Sequence, residues 1–124
     1  MAFHSSCIAL AQSLSADDVN RRILDFLLSQ AVGRKNAKSW PKIEAHLVAV
    51  GAPKIPTKEA FQVGFLGKTR QGDEFIGSTS KGFFIIDSPL DAEATRRFYQ
   101  HRIFVQMDRL RRLEALIEKE YPLD

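Results

Sequence analysis

The side chains of clearest chemical use in this 124-residue chain are cations and hydroxyls gathered in its middle. Ser78, Thr79, Ser80 and Lys81 stand together between the apolar runs Phe75-Ile76 and Phe83-Phe84-Ile85-Ile86. Hydroxyl donors beside an ammonium bind phosphate oxygens and read little else. Arg34, Lys35, Lys38 and Lys42, with Asn36 and Ser39, make a second cluster of the same character. A third set, Thr57, Lys58, Gln62, Lys68 and Arg70, adds groups of another kind. Lysine reaches phosphates or guanine edges, and glutamine can pair two-sidedly with adenine. Together these residue types describe capture of a polyanion.

The distribution of charge agrees. The net charge of +3 hides an excess of five positive charges in residues 34–86, against a slight negative balance on either side. A polyanion partner needs such a local patch, which a whole-chain charge does not reveal. Other chemistries have no pattern. His4, His46 and His101 lack a second ligand three or four residues away, so no metal site is expected. Cys7 and the histidines sit in no nucleophile motif, and Asp73-Glu74 has no basic partner. No phosphate-loop or zinc motif occurs. Neither a catalytic residue, a metal nor another cofactor is therefore expected. The single cysteine excludes an internal disulfide and fits a reducing compartment. Ile8–Ala11 is too short for a secretory core and has no basic residue before it. No apolar run approaches membrane-spanning length. A cytoplasmic chain without membrane contact is the reading.

The elements that must hold these residues follow from periodicity and capping. Residues 1–14 read as an arm or short helix. Ser15, followed by Asp17 and Asp18, marks a helix start, and Val19, Ile23, Phe26 and Leu27 give it an inward stripe. Gly33 is expected to end that helix. Ser39 and Pro41 open a second, with Ile43, Leu47 and Val50 inward and Gly51 closing it. Thr57 caps a third, running towards Arg70, with Phe61, Phe65 and Leu66 inward and Thr57, Lys58, Gln62 and Thr69 outward or at the margins. Gly64 and Gly67 either weaken this helix or permit close approach of a neighbour. Trp40 is read as a core anchor before a base-stacking group.

Glu74–Ile86 is a β-hairpin with a cationic tip. Ser88-Pro89-Leu90-Asp91 then starts a helix over 90–121, about 45 Å long. In heptads, Ile103, Leu110 and Ile117 occupy one seam position, and Tyr99, Gln106 and Leu113 the other, with Glu120 below. That pattern serves a short coiled coil or a helix folded across its own domain.

Helix, helix, then a hairpin with a cationic tip resembles winged helix-turn-helix DNA-binding domains of small bacterial and phage type. Phe75-Ile-Gly-Ser-Thr-Ser-Lys-Gly-Phe-Phe-Ile-Ile86 carries the likeness to a wing, and the helix ending at Gly51, the turn to Ile55 and Thr57-Lys-Glu-Ala-Phe61 carry the likeness to the two central helices. The resemblance implies a mainly α (α+β) fold with a winged-helix domain at 15–87 and a dimerising helix at 88–124. It implies a non-enzymatic homodimer on double-stranded DNA, serving transcriptional regulation or the DNA targeting of a mobile-element or defence system. The 57–70 helix would enter the major groove, while the wing and the 34–42 cluster grip phosphates. The alternative is an adaptor on the same scaffold, whose last helix binds another protein.

Overall fold

The structure, a computed structural model, describes residues 2–122. It is mainly helical, with one two-stranded antiparallel hairpin and a long last helix. Helices α1 (Ala2–Ser13), α2 (Val19–Gln30) and α3 (Trp40–Ala49) come first. A continuous helical rod follows, in which α4 (Lys58–Ala60) passes through the π-helical stretch Phe61–Leu66 into α5 (Gly67–Thr69). Strands β1 (Ile76–Thr79) and β2 (Gly82–Ile85) precede α6 (Pro89–Glu120).

Local chemistry sets most of the boundaries. Asp18, rather than Ser15, caps α2, its carboxylate accepting from the Asn20 N–H at 2.8 Å. Ser15 instead closes the preceding turn, its carbonyl accepting from Asp18 at 3.0 Å. The α3 helix starts behind Ser39 with Pro41 in its first turn, as its sequence requires. It ends in a Schellman arrangement, with Ala52 N–H donating to Leu47 O and Gly51 N–H to Val48 O, both at 3.0 Å. Val50 follows the last turn and is exposed, so the α3 stripe is Trp40, Ile43 and Leu47. The Thr57 hydroxyl accepts from the Ala60 N–H at 3.1 Å and starts the rod.

The core is a wedge of helix faces closed by the hairpin. Ile23, Leu24 and Leu27 of α2 meet Ile43 and Leu47 of α3 and Phe61, Phe65 and Leu66 of the rod. Cys7 and Ala11 bring α1 into the same core, so this segment is a packed helix and not an arm. Phe61 sits at the centre, its ring 4.7 Å from Trp40, 5.4 Å from Phe65 and 5.1 Å from Phe83. Trp40 is thus a core residue. Burial, aided by the charge on Glu74, lifts the Cys7 thiol to about 11, so it stays protonated at neutral pH.

Strand β2 is paired on both edges. On one side it takes β1 in the register Ile76 to Ile85 and Thr79 to Gly82, leaving a two-residue turn at Ser80-Lys81. On the other it takes the connector between α2 and α3: Ile85 N–H donates to Ala31 O at 2.7 Å and Gly33 N–H to Ile85 O at 2.9 Å. Lys38 and Phe83 exchange two further bonds at 2.8 and 2.9 Å. This pairing draws the chain out of helix after Gln30, with Ala31 as the cap, two residues before the expected Gly33.

The last helix starts where its sequence requires, the Ser88 hydroxyl accepting from the Asp91 N–H. Only its first turns pack on the domain. Asp91 and Thr95 are buried, and the Thr95 hydroxyl accepts from the Ser78 N–H at 3.3 Å, covering the outer edge of β1. From Ile103 to Tyr121 the apolar side chains are exposed apart from the half-buried Val105. The helix is about 48 Å long at the standard rise and does not fold back on its own core.

Close pairing of the connector depends on Gly82. Its φ is +133°, and a Cβ there would lie 2.3 Å from Lys38 O, which the β2 ladder holds in place. Gly82→Ala should therefore cost about 1–3 kcal/mol in urea unfolding. Gly51→Ala, at φ +70° with open space around it, should cost only about 1 kcal/mol. Equal losses would show that the Lys38 contact relaxes freely.

A candidate nucleic-acid interface

Helical spacing first decides which polar groups share a face. Lys58, Gln62, Leu66 and Arg70 recur every fourth residue along the rod and so form one stripe. That stripe turns towards the hairpin. Between them lies an open cleft of about 620 Å³. The hairpin contributes Ser78, Thr79, Ser80 and Lys81, and the start of α3 contributes Ser39 beside Trp40. Residues from all three sequence clusters thus meet in one concavity. The third wall, Phe98, Tyr99 and Arg102 of α6, was not legible in the sequence, where the last helix reads as a pairing element throughout.

Electrostatics give the cleft its character. Lys58, Arg70, Lys81 and Arg102 line it, and no carboxylate does. None of the four is ion-paired among the described residues. Arg70 lies deepest. Its Nε donates to Ile76 O at 3.2 Å, an Nη donates to Ser78 Oγ, and its guanidinium lies over the rings of Phe75 and Tyr99 at 5.5 and 5.4 Å. Burial, opposed by Tyr99 and reinforced by Arg102, pulls its pKa below the ordinary arginine value. The group remains a cation, because arginine keeps its proton in proteins. Two of its five donors are used by these bonds, so further donors remain for an anion. A half-buried cation without a counter-ion is an electrostatic cost that a bound anion would relieve.

Several residues of the expected site do other work. Arg34 is not free for a ligand, since its guanidinium meets the buried Asp91 carboxylate at 3.0 Å. That carboxylate also accepts from the backbone N–H groups of Arg34 and Asp87, at 3.0 Å each. Burial raises the Asp91 pKa, but these bonds and the Arg34 charge outweigh it and hold it below the usual value. Asn36 donates to Val32 O at 2.9 Å and braces the connector. Ser78 is a buried strand residue and not part of the tip. Thr69 is buried and its hydroxyl donates to Leu66 O.

Lys68 lies on the far side of the rod, beside Leu10, Leu14 and Asn20. Lys35 and Lys42 are exposed outside the cleft, Lys38 is half-buried, and Thr57 serves as the cap. Gly64 and Gly67 serve no close approach: a Cβ at Gly64 would meet nothing within 4 Å, and at Gly67 only Gln62 O at 3.8 Å. The backbone there is wound as a π-helix, with the Gly67 N–H reaching Gln62 O. Such turns recur at functional sites. Tyr99, expected in the pairing seam, packs instead on Arg70 and Phe75 of its own domain. No protein-family model, curated protein or solved structure matches the chain.

The Asp91 cluster gives a pH test. A carboxylate whose folded pKa is depressed stabilises the fold above its unfolded value and loses that contribution as the pH falls. Asp91→Asn should cost about 1–3 kcal/mol at neutral pH by chemical denaturation. The gap to the wild type should close as the pH drops below ~3.9. A gap independent of pH would mean that the Asp91 charge contributes nothing.

Proposed function

We propose that the protein is a winged-helix DNA-binding protein that works as a homodimer. The role that suits it is transcriptional regulation or the DNA targeting of a mobile-element or defence system. The observation that carries the reading is the carboxylate-free cleft between rod and hairpin, with four cations that have no acidic partner among the described residues. The order of elements supports it: two core helices joined by a connector that pairs with β2, then the rod, then the hairpin. In this reading phosphates of one DNA strand run past Lys58, Lys81 and Arg102. Gln62 stands within reach of base edges, while Lys42 and Lys35 extend the basic surface outward. Arg70 holds the rod, the hairpin and α6 in register and offers its remaining donors to the same backbone.

The test is salt dependence. Binding to duplex DNA should weaken linearly on a log–log salt plot, each neutralised phosphate releasing about 0.9 counterion. Lys58→Ala and Lys81→Ala should each flatten the slope by about one unit, while Gln62→Ala lowers preferred-site binding by about 1–3 kcal/mol. Slopes unchanged in folded variants would remove the cleft from the interface. The exposed apolar side chains of α6 favour a second reading, a protein-binding adaptor. That reading predicts no binding to duplex DNA even at low salt.

A further inference from the structure

We propose that the outer half of α6 pairs with the same helix of a second copy as a parallel, in-register coiled coil, fixed by Arg109 of each chain against Glu114 of the other. The inference rests on the homodimer proposed above and adds its direction and register. Its starting point is a surface. Ile103 and Leu110 are each 55% exposed, with Leu113 and Ile117 exposed beside them. They follow heptad spacing, with Ile103, Leu110 and Ile117 at the a positions and Gln106 and Leu113 at d. Exposed Met107 and Leu116 border this seam at e and g and widen it. Tyr99 is held by its own domain, so the seam begins at Ile103.

The charges choose the occupant. The g position before Leu110 is Arg109 and the following e position is Glu114. Neither is ion-paired within its own chain among the described residues. In a parallel pair a g residue meets the e residue five positions on in the other helix. Two copies in register therefore form two Arg109–Glu114 pairs, one on each flank. The same alignment sets Gln106 opposite Gln106, so each amide has a partner in an otherwise apolar seam.

An antiparallel pair has neither advantage. One alignment places Ile103 against Leu113 and Gln106 against Leu110, with Ile117 left facing Tyr99, and the next places Leu110 against Leu113 and Gln106 against Ile117. Both set g against g and e against e, so Arg109 faces no Glu114 of the second copy in either. Loss of both ion pairs and a buried amide without a partner oppose antiparallel pairing. The seam is self-complementary in one direction only, and a second copy of this chain is the partner that supplies the complement.

Charge exchange tests this on the full chain, since both residues are exposed and outside the core. By sedimentation equilibrium the wild type should be a dimer. Arg109→Glu and Glu114→Arg should each dissociate about ten-fold more readily, because both flanking pairs become repulsive. An equimolar mixture should recover the dimer mass, since each chain then complements the other. A wild-type monomer would overturn the homodimer itself. Single variants as tight as the wild type, with only the mixture tighter, would show antiparallel pairing, and equal masses for all samples would show that this pair sets no register. A second arm is independent of charge. Cys7 is buried, so Gln106→Cys adds one accessible thiol per chain. Mild oxidation should link it to its own counterpart in the parallel dimer, and a wild-type dimer whose variant stays unlinked would overturn the in-register alignment.

Discussion

The structure depends on strand β2 being paired along both edges. A two-stranded hairpin alone is marginal in water. Here its inner strand also bonds to residues 31–38, so the hairpin is locked to the segment that joins α2 to α3. The lock sets where α2 ends and how the hairpin tip stands relative to the rod. Gly82 makes it possible, because only a residue without Cβ lets the Lys38 carbonyl come so close. On the opposite side α6 lies against β1, where the Thr95 hydroxyl takes the Ser78 N–H.

From that lock the cleft follows. The hairpin leans over the Lys58-Gln62-Leu66-Arg70 stripe, and α6, started at Ser88 and tied through Asp91 to Arg34, supplies the outer wall. The acids near this region are spent elsewhere. Asp91 neutralises Arg34, Glu93 binds Arg96 and Arg97, and Asp87 takes His4. These carboxylates meet Arg34, Arg96, Arg97 and His4 and none lines the cleft, which stays cationic although the chain is only mildly basic. The same division separates two roles along α6: its first turns build the domain, and its outer half carries the unpartnered seam.

Local signals were legible and long-range ones were not. The hairpin, the Thr57 and Ser88 caps, the Ser39-Pro41 start and the inward phenylalanines could all be read from residues a few positions apart. The pairing of 31–38 with β2 could not, because the connector is basic and lacks strand alternation. Arg34 looked like a ligand-binding cation because its partner, Asp91, lies 57 residues away. Ser78 looked like a tip residue because strand alternation cannot tell that α6 will cover both the strand and its edge. The π-helical winding at Phe61–Leu66 has no sequence signature, and the two glycines near it only hinted at an irregular rod. Of the cleft, the cationic and hydroxyl members were legible. Its aromatic wall depended on where a distant helix crosses the hairpin.

The proposed seat of duplex DNA is the cleft between rod and hairpin. Backbone amide shifts of the isotope-labelled protein, followed as a short duplex is added, test it most directly. The perturbed amides should cluster at Gln62, Ser80, Lys81 and Gly82 and fade towards Lys42, leaving α1 and residues 103–117 unmoved. Shifts confined to the outer half of α6, or a cleft that stays silent while DNA binds elsewhere, would contradict it.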